Sequence, residues 1–283
     1  GGFATWVGDD KIPLQVPIYN GRGKGMTIDQ NGFEMVEHNL TEFNFYNEEE
    51  ILRDYYPAVA EFIKKLLGAH KVYTFDHVVR NSGVGNSYAV KSGQKIGGPA
   101  RQVHGDYGMR GGITRVQNFT KPPSSGDSFA EYNEGKPLIS PEEFEELKGR
   151  RFAIINLWRS FTEEPCVDMP LALCDTQTSK KEDYITIEFR YADGVMVDTY
   201  LAGHSQQQKW YYFPELLKHE GILLKTYDTQ GALFDGFQEY PYRLPGPLIP
   251  ATATLHSAVP DPRLTDKEYP KRQSIEVRTV VFY

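Results

Sequence analysis

Only two cysteines, Cys166 and Cys174, occur in 283 residues. So few exclude a disulfide framework, and both are expected to be reduced thiols of the core. Long hydrophobic runs are also missing. No stretch approaches the roughly 20 apolar residues needed to cross a bilayer, and the opening "GGFATWVGDDKIPLQ" lacks the charged-then-apolar order of a secretory signal. The leading Gly1-Gly2 suggests a trimmed chain. Together these absences set the expectation of a soluble, cytoplasmic protein that needs no membrane. There is no basic excess: 31 Lys and Arg against 38 Asp and Glu leave a net charge of −7. Without a Lys/Arg cluster, nucleic acid is not an expected partner. Phosphate-binding motifs fail as well, because "GRGKG" at 21–25 and "GVG" at 83–85 have neither the spacing nor the following helix of a P-loop or dinucleotide fold. No G-x-S-x-G elbow occurs, and neither cysteine sits in a recognisable pattern with a histidine base, so covalent hydrolase chemistry has no support.

What is present supports a folded core, with 40% hydrophobic and 13% aromatic residues. Residues 48–68, "EEEILRDYYPAVAEFIKKLLG", carry apolar positions at a helical period. Asn47 is placed to cap this helix, Gly68 to end it, and Pro57 to kink it. Beyond it the chain turns to short aromatic and β-branched runs. Strands are expected near 71–80, 87–91, 101–107, 151–158, 184–191, 194–201, 208–213 and 272–282, with a hairpin turn at Ala192-Asp193. Short proline-opened helices are expected at 141–148 and 214–219. Segments 108–150 and 228–253 read as long loops. The second holds Phe234, Phe237, Tyr240 and Tyr242, which could line an apolar pocket or pack as a loop core. The coarse class is mainly β with flanking helices, and no repeat or strand–helix alternation suggests a doubly wound sheet.

The chemical signal begins in "QVHGDYG", residues 102–108. In an extended chain His104 and Asp106 project to one face. They could be a surface couple, or two thirds of a metal site of the two-histidine, one-carboxylate kind that suits non-haem Fe(II). A third ligand has to come from His38, His70, His77, His204, His219 or His256. His38, His70 and His219 stand among charged residues and are expected to be solvated. His77 and His204 lie near strands and stay open. His256 stands out because of the strand downstream of it: "RQSIEVR", residues 272–278, puts Arg272, Ser274, Glu276 and Arg278 on one face. An arginine and a serine two apart can grip a carboxylate, though a solvent-facing polar edge would read the same way.

An H-x-D pair, a distant histidine and a downstream R-x-S, in that order, resemble the Fe(II)/2-oxoglutarate-dependent oxygenases. The segments "DHVVRNS" (76–82), "VHGDY" (103–107), "NLWRS" (156–160), "MPLALCDTQT" (169–178), "QKWYYFPELLKHEGILLKTYDT" (208–229) and "RQSIEVRTVVFY" (272–283) are similar to the natural-product hydroxylases and desaturases of that family, related to the cephamycin 7α-methoxylase component and to gibberellin desaturase-like proteins. The resemblance implies a double-stranded β-helix jelly roll over 71–283, preceded by an extension and helix over 1–70, in a single oxygenase domain. A long insertion between Asp228 and His256 then reads as a lid at 228–253. By the same resemblance His104, Asp106 and His256 would hold Fe(II), and Arg272 with Ser274 would hold the far carboxylate of 2-oxoglutarate. Asn156 would lie at the cofactor, and Arg278 would be a second anchor or a clamp for a substrate carboxylate. Arg80, Trp158, Tyr227, Phe234 and Phe237 would shape the substrate pocket. The implied reaction consumes O2 and 2-oxoglutarate and oxidises a C–H bond of a small biosynthetic intermediate. A cupin-like metal enzyme without the co-substrate, or a non-catalytic binding jelly roll, are the rival expectations.

Overall fold

The structure is a computed structural model that describes residues 14–84, 88–91, 94–124, 126–190, 196–237, 244–264 and 268–283. The expected turn at Ala192-Asp193 and the aromatic side chains of Tyr240 and Tyr242 lie outside the described residues. Fourteen strands among the described residues build two seven-stranded sheets. The first sheet has the order β1 (Ile18–Asn20), β11 (Trp210–Tyr212), β8 (Leu171–Cys174), β13 (His256–Ala258), β6 (His104–Gly105), β10 (Met196–Ala202), β9 (Tyr184–Arg190). The second runs β2 (Phe33–Glu37), β12 (Glu220–Asp228), β7 (Phe152–Ser160), β14 (Gln273–Phe282), β3 (Lys71–Asn81), β5 (Gln94–Gly97), β4 (Tyr88–Lys91). This is the double-stranded β-helix.

The strand period sorts the second sheet's side chains into two layers. Ile275 and Val277 of β14, with Ile155 and Leu157 of β7, face outward into one core. That core is closed by helix α1 (Tyr56–Leu67), whose Tyr56, Val59 and Ile63 are buried. The alternate residues of the same strands, Ser274, Glu276, Arg278, Asn156 and Trp158, therefore face the first sheet. A second core links the two sheets through Trp158, Ile222 and Leu224 on one side and Leu171 and Leu173 on the other.

The helix at 48–68 forms, with Asn47 accepting from Glu50 N and Gly68 left-handed at φ 61°. Pro57 produces something other than a simple kink. A five-residue π turn, Ile51–Tyr55, precedes α1 and closes with Tyr56 N–H donating to the Ile51 carbonyl. Proline has no N–H to continue the α-helical ladder, so the wider turn absorbs the break.

Two helix expectations need correction. The stretch 108–150 holds a second helix, α2 (Gly111–Asn118), besides the expected α3 (Pro141–Leu147). Two leading glycines argue locally against α2. Its start is organised instead from β10, where Asp198 accepts from Arg110 N at 3.1 Å, and a Cβ at Gly108 or Gly111 would collide with the Asp198 carboxylate. Residues 214–219 form no helix. Glu215 takes a positive φ of 53°, and Leu216 bridges Cys166. Arg22 further ties the segment down by donating to the Pro214 carbonyl at 2.7 Å and pairing with Glu220.

A buried ionic network closes one end of β12. Lys225, 0% exposed, contacts Asp29 at 2.5 Å and Asp228 at 2.8 Å, and Arg151 contacts the same two carboxylates at 2.8 and 2.6 Å. Removing one member of such a cluster leaves charge buried without its partner. Lys225→Met is expected to lower the unfolding free energy by about 3 kcal/mol, read from urea denaturation at pH 7.

Candidate active site

His104 is the first residue of β6, and His256 the first of β13. The two strands pair antiparallel with these residues as partners, so their side chains leave the sheet side by side. Their rings are 4.4 Å apart between centroids. Asp106, two residues along, brings Oδ1 to 3.6 Å from His104 Nε2 and 3.8 Å from His256 Nε2. One potential ligand atom from each of the three lies within 4.8 Å of the others. The backbone sets which nitrogen faces inward. His104 Nδ1 is 2.8 Å from the Gln102 carbonyl, and His256 Nδ1 is 3.0 Å from the Thr254 carbonyl. A carbonyl only accepts, so each Nδ1 carries the proton and each Nε2 presents a lone pair to the cluster.

The charge states suit a cation. Burial would raise the Asp106 carboxyl, but Arg278, His256 and His104 outweigh it and hold the group below the usual carboxylate range. Burial, reinforced by His256, lowers His104, favouring the neutral imidazole that ligates. Two imidazoles and one carboxylate on one side of a cavity form the donor set that fits Fe(II) with positions left open.

Arg272 points into the same cavity, whose open space amounts to about 440 Å³ including its mouth. It is 4% exposed, and its burial depresses the guanidinium to about 10. Its contacts are Ser274 Oγ, accepting from Nε at 2.9 Å, the Met169 carbonyl at 2.5 Å, and the Trp158 ring at 5.0 Å. Among the described residues no carboxylate stands within ion-pair distance of it. A buried cation without an anion is costly, and a ligand carboxylate would supply the missing charge. Met169, at φ 46°, adopts a left-handed conformation to aim its carbonyl there.

The remaining expected residues divide cleanly. Arg80 and Trp158 line the cavity, as do Glu276 and Arg278. Ser274 is fully buried and acts on Arg272. Asn156 is fully buried and contacts Asp106. Arg278 is already surrounded by anions, with Asp76 at 2.5 Å, Asp106 at 3.6 Å and Glu276 at 3.9 Å. That crowd leaves little call for a further carboxylate. Tyr227, Phe234 and Phe237 are not brought to the cavity. Tyr227 is wholly buried, stacks on Phe152 and donates to the Met109 carbonyl. Phe234 packs against it in a separate core. Phe237 is 41% exposed beneath Lys181. The rings of Tyr227 and Phe234 pack with Phe152, Ile154, Val280 and Phe282, further along the inner face of the second sheet.

The other histidines stand apart from the cluster. His77 is bonded to the Tyr56 hydroxyl at 2.8 Å on the helix side. His38 is buried rather than solvated, accepting from Leu40 N at 3.2 Å. Burial first, and the Arg159 charge second, lower its pKa to about 4. Because the folded state binds this proton less readily than the unfolded chain, stability drops as pH falls from about 6.5 towards 4. Over that window the wild type should lose on the order of 2 kcal/mol more than His38→Gln, measured from urea midpoints at pH 7.5 and 4.5.

Asp76 and Met169 were not singled out by sequence reasoning, whereas Glu276 was placed on the strand face of Arg272 without a role. The first two needed the tertiary fold.

A family model described as "Oxidoreductase/YMDC permease-like domain" matches residues 7–282. The chain belongs to this family, among the Fe(II)/2-oxoglutarate-dependent oxygenases. No helix among the described residues is long and apolar enough to cross a membrane. An alpha-ketoglutarate-dependent dioxygenase, phiK of Fungal sp. (strain ATCC 74256), is 27% identical over 269 residues, covering 95% of this chain and 83% of the relative. An uncharacterised protein from the dcmA 3' region of Methylophilus leisingeri is 33% identical over 168 residues, 56% of this chain and 77% of that one. Among solved structures, the iron and alpha-ketoglutarate-dependent endoperoxidase NvfI superposes with a TM-score of 0.74 at 22% identity, over 96% of this chain and 86% of its own. At that identity the likeness speaks for the fold.

Proposed function

We propose that this oxygenase oxidises an unactivated C–H bond of a small natural-product intermediate, by hydroxylation, desaturation or oxidative cyclisation, at the expense of O2 and 2-oxoglutarate. The observation that carries the reading is the convergence of His104, Asp106 and His256 in a cavity that also holds the buried guanidinium of Arg272, which has no carboxylate within ion-pair distance among the described residues. A metal enzyme without the co-substrate would have no use for such a cation.

In this reading the Nε2 atoms of His104 and His256 and a carboxylate oxygen of Asp106 hold Fe(II). The metal with its co-substrate supplies the oxidising power for C–H cleavage. Arg272 receives the far carboxylate of 2-oxoglutarate, and its contacts with Trp158, Ser274 and Met169 fix the guanidinium before the ligand arrives, so little ordering remains to be done on binding. Val78, Leu171 and Ala258 give the cavity an apolar wall for a hydrocarbon portion, and Arg80 offers a donor to a polar substituent. Curated relatives named as a hydroxylase/desaturase occur in Cercospora beticola and Hormonema carpetanum, which supports the reaction type. Anaerobic titration of the protein with Fe(II) and then 2-oxoglutarate should develop the visible charge-transfer absorption of the chelate. A folded protein that binds Fe(II) yet shows no such absorption would overturn the assignment.

A further inference from the structure

Asn156 sits at the centre of β7, where all nine residues are buried, and its side chain is 0% exposed. Its amide nitrogen donates twice, to Asp106 Oδ2 at 2.8 Å and to Glu276 Oε1 at 2.6 Å. Its amide oxygen, equally buried, has no hydrogen-bond partner among the described residues. An unsatisfied buried acceptor costs about 1–3 kcal/mol, so a purely structural position would be better filled by an apolar residue. The orientation is nonetheless unambiguous, because both neighbours are carboxylates and only the NH2 end can face them.

We infer that Asn156 is a positioning residue for the metal carboxylate. By occupying Oδ2 it leaves Oδ1, the oxygen that stands 3.6 and 3.8 Å from the two imidazole nitrogens, as the one offered to the cation. Its second hydrogen ties Glu276 alongside, and Arg278 completes the frame from Asp76 through Asp106 to Glu276. The asparagine supplies two donors without adding charge, whereas a lysine there would compete with the metal for Asp106. This inference rests on the reading of His104, Asp106 and His256 as ligands.

The test uses Co(II) as the probe and its ligand-field absorption as the readout, in the full chain without turnover. Asn156→Leu keeps the side-chain shape and removes both donors; Asn156→Ala removes them with less steric demand. Both should raise the Co(II) dissociation constant 10- to 100-fold, the usual effect of deleting a group that orients a ligand. Circular dichroism of the metal-free variants separates lost positioning from lost structure, because both substitutions also take a donor from each of two buried carboxylates. Lys225→Met, a destabilised control whose side chain does not line the cavity, should leave the constant unchanged. A Co(II) constant within twofold of wild type in either folded variant overturns the inference. Wild-type affinity in His104→Ala would instead overturn the ligand assignment itself.

Discussion

Alanine at His104, Asp106 or His256 is expected to abolish turnover, by at least 10³-fold, and to remove Fe(II) binding at concentrations that saturate the wild type. Each residue supplies one of three donors, and two donors hold a divalent cation far more weakly than three. No replacement histidine stands nearby among the described residues. His77 is committed to Tyr56 across the sheet, and His38 is buried against the helix. The fold should survive, because none of the three residues belongs to the apolar cores that hold the sheets. Asp106→Ala leaves Arg278 with Asp76 and Glu276, so no buried cation is stranded. Equilibrium dialysis against Fe(II), with circular dichroism on the same samples, separates lost ligation from lost structure. Full activity in any one variant would contradict the site.

The second large effect concerns Arg272. Arg272→Ala should raise the 2-oxoglutarate concentration for half-maximal activity by about 100-fold, corresponding to roughly 2.7 kcal/mol, while Fe(II) affinity changes little. A charge-assisted bond of this kind contributes about 1.5–3 kcal/mol, and the guanidinium can engage a carboxylate through two parallel donors. Arg272→Lys should recover only a small part. A single ammonium lacks the planar fork that reaches Ser274 and Met169 while keeping a face on Trp158. Stability should hardly suffer, since the removed cation had no carboxylate partner among the described residues. Steady-state kinetics with 2-oxoglutarate varied at saturating Fe(II) gives the answer. An unchanged co-substrate dependence would favour a metal enzyme that works without it.

How far the site could be read in advance depended on the range of the interaction behind each residue. His104 and Asp106 are two apart on an extended segment, and Arg272 and Ser274 share a strand face, so their common direction is local geometry. The hydrogen bond from Arg272 Nε to Ser274 Oγ follows that spacing. Arg278 obeys the same period, yet its role turned on Asp76, a residue of β3 that no local pattern associates with it. Tyr227 and Phe234 show the converse. Their apolar rings satisfied a pocket and a core equally well, and only the packing of Phe152 and Met109 around them decided for the core. Helix α2 escaped detection because its cap is Asp198, supplied from another strand.

The sequence by itself therefore determined the predominantly β class, the helix at 48–68, the shared face of Arg272, Ser274, Glu276 and Arg278, and the residue types able to hold iron and a dicarboxylate. All of these come from the period of the backbone and the chemistry of single side chains. Tertiary structure alone decided which histidine joins the pair, that Arg278 rather than Arg272 is ringed by carboxylates, and which aromatic rings face the cavity, because each is settled by strands distant in the chain that become neighbours only when the two sheets close.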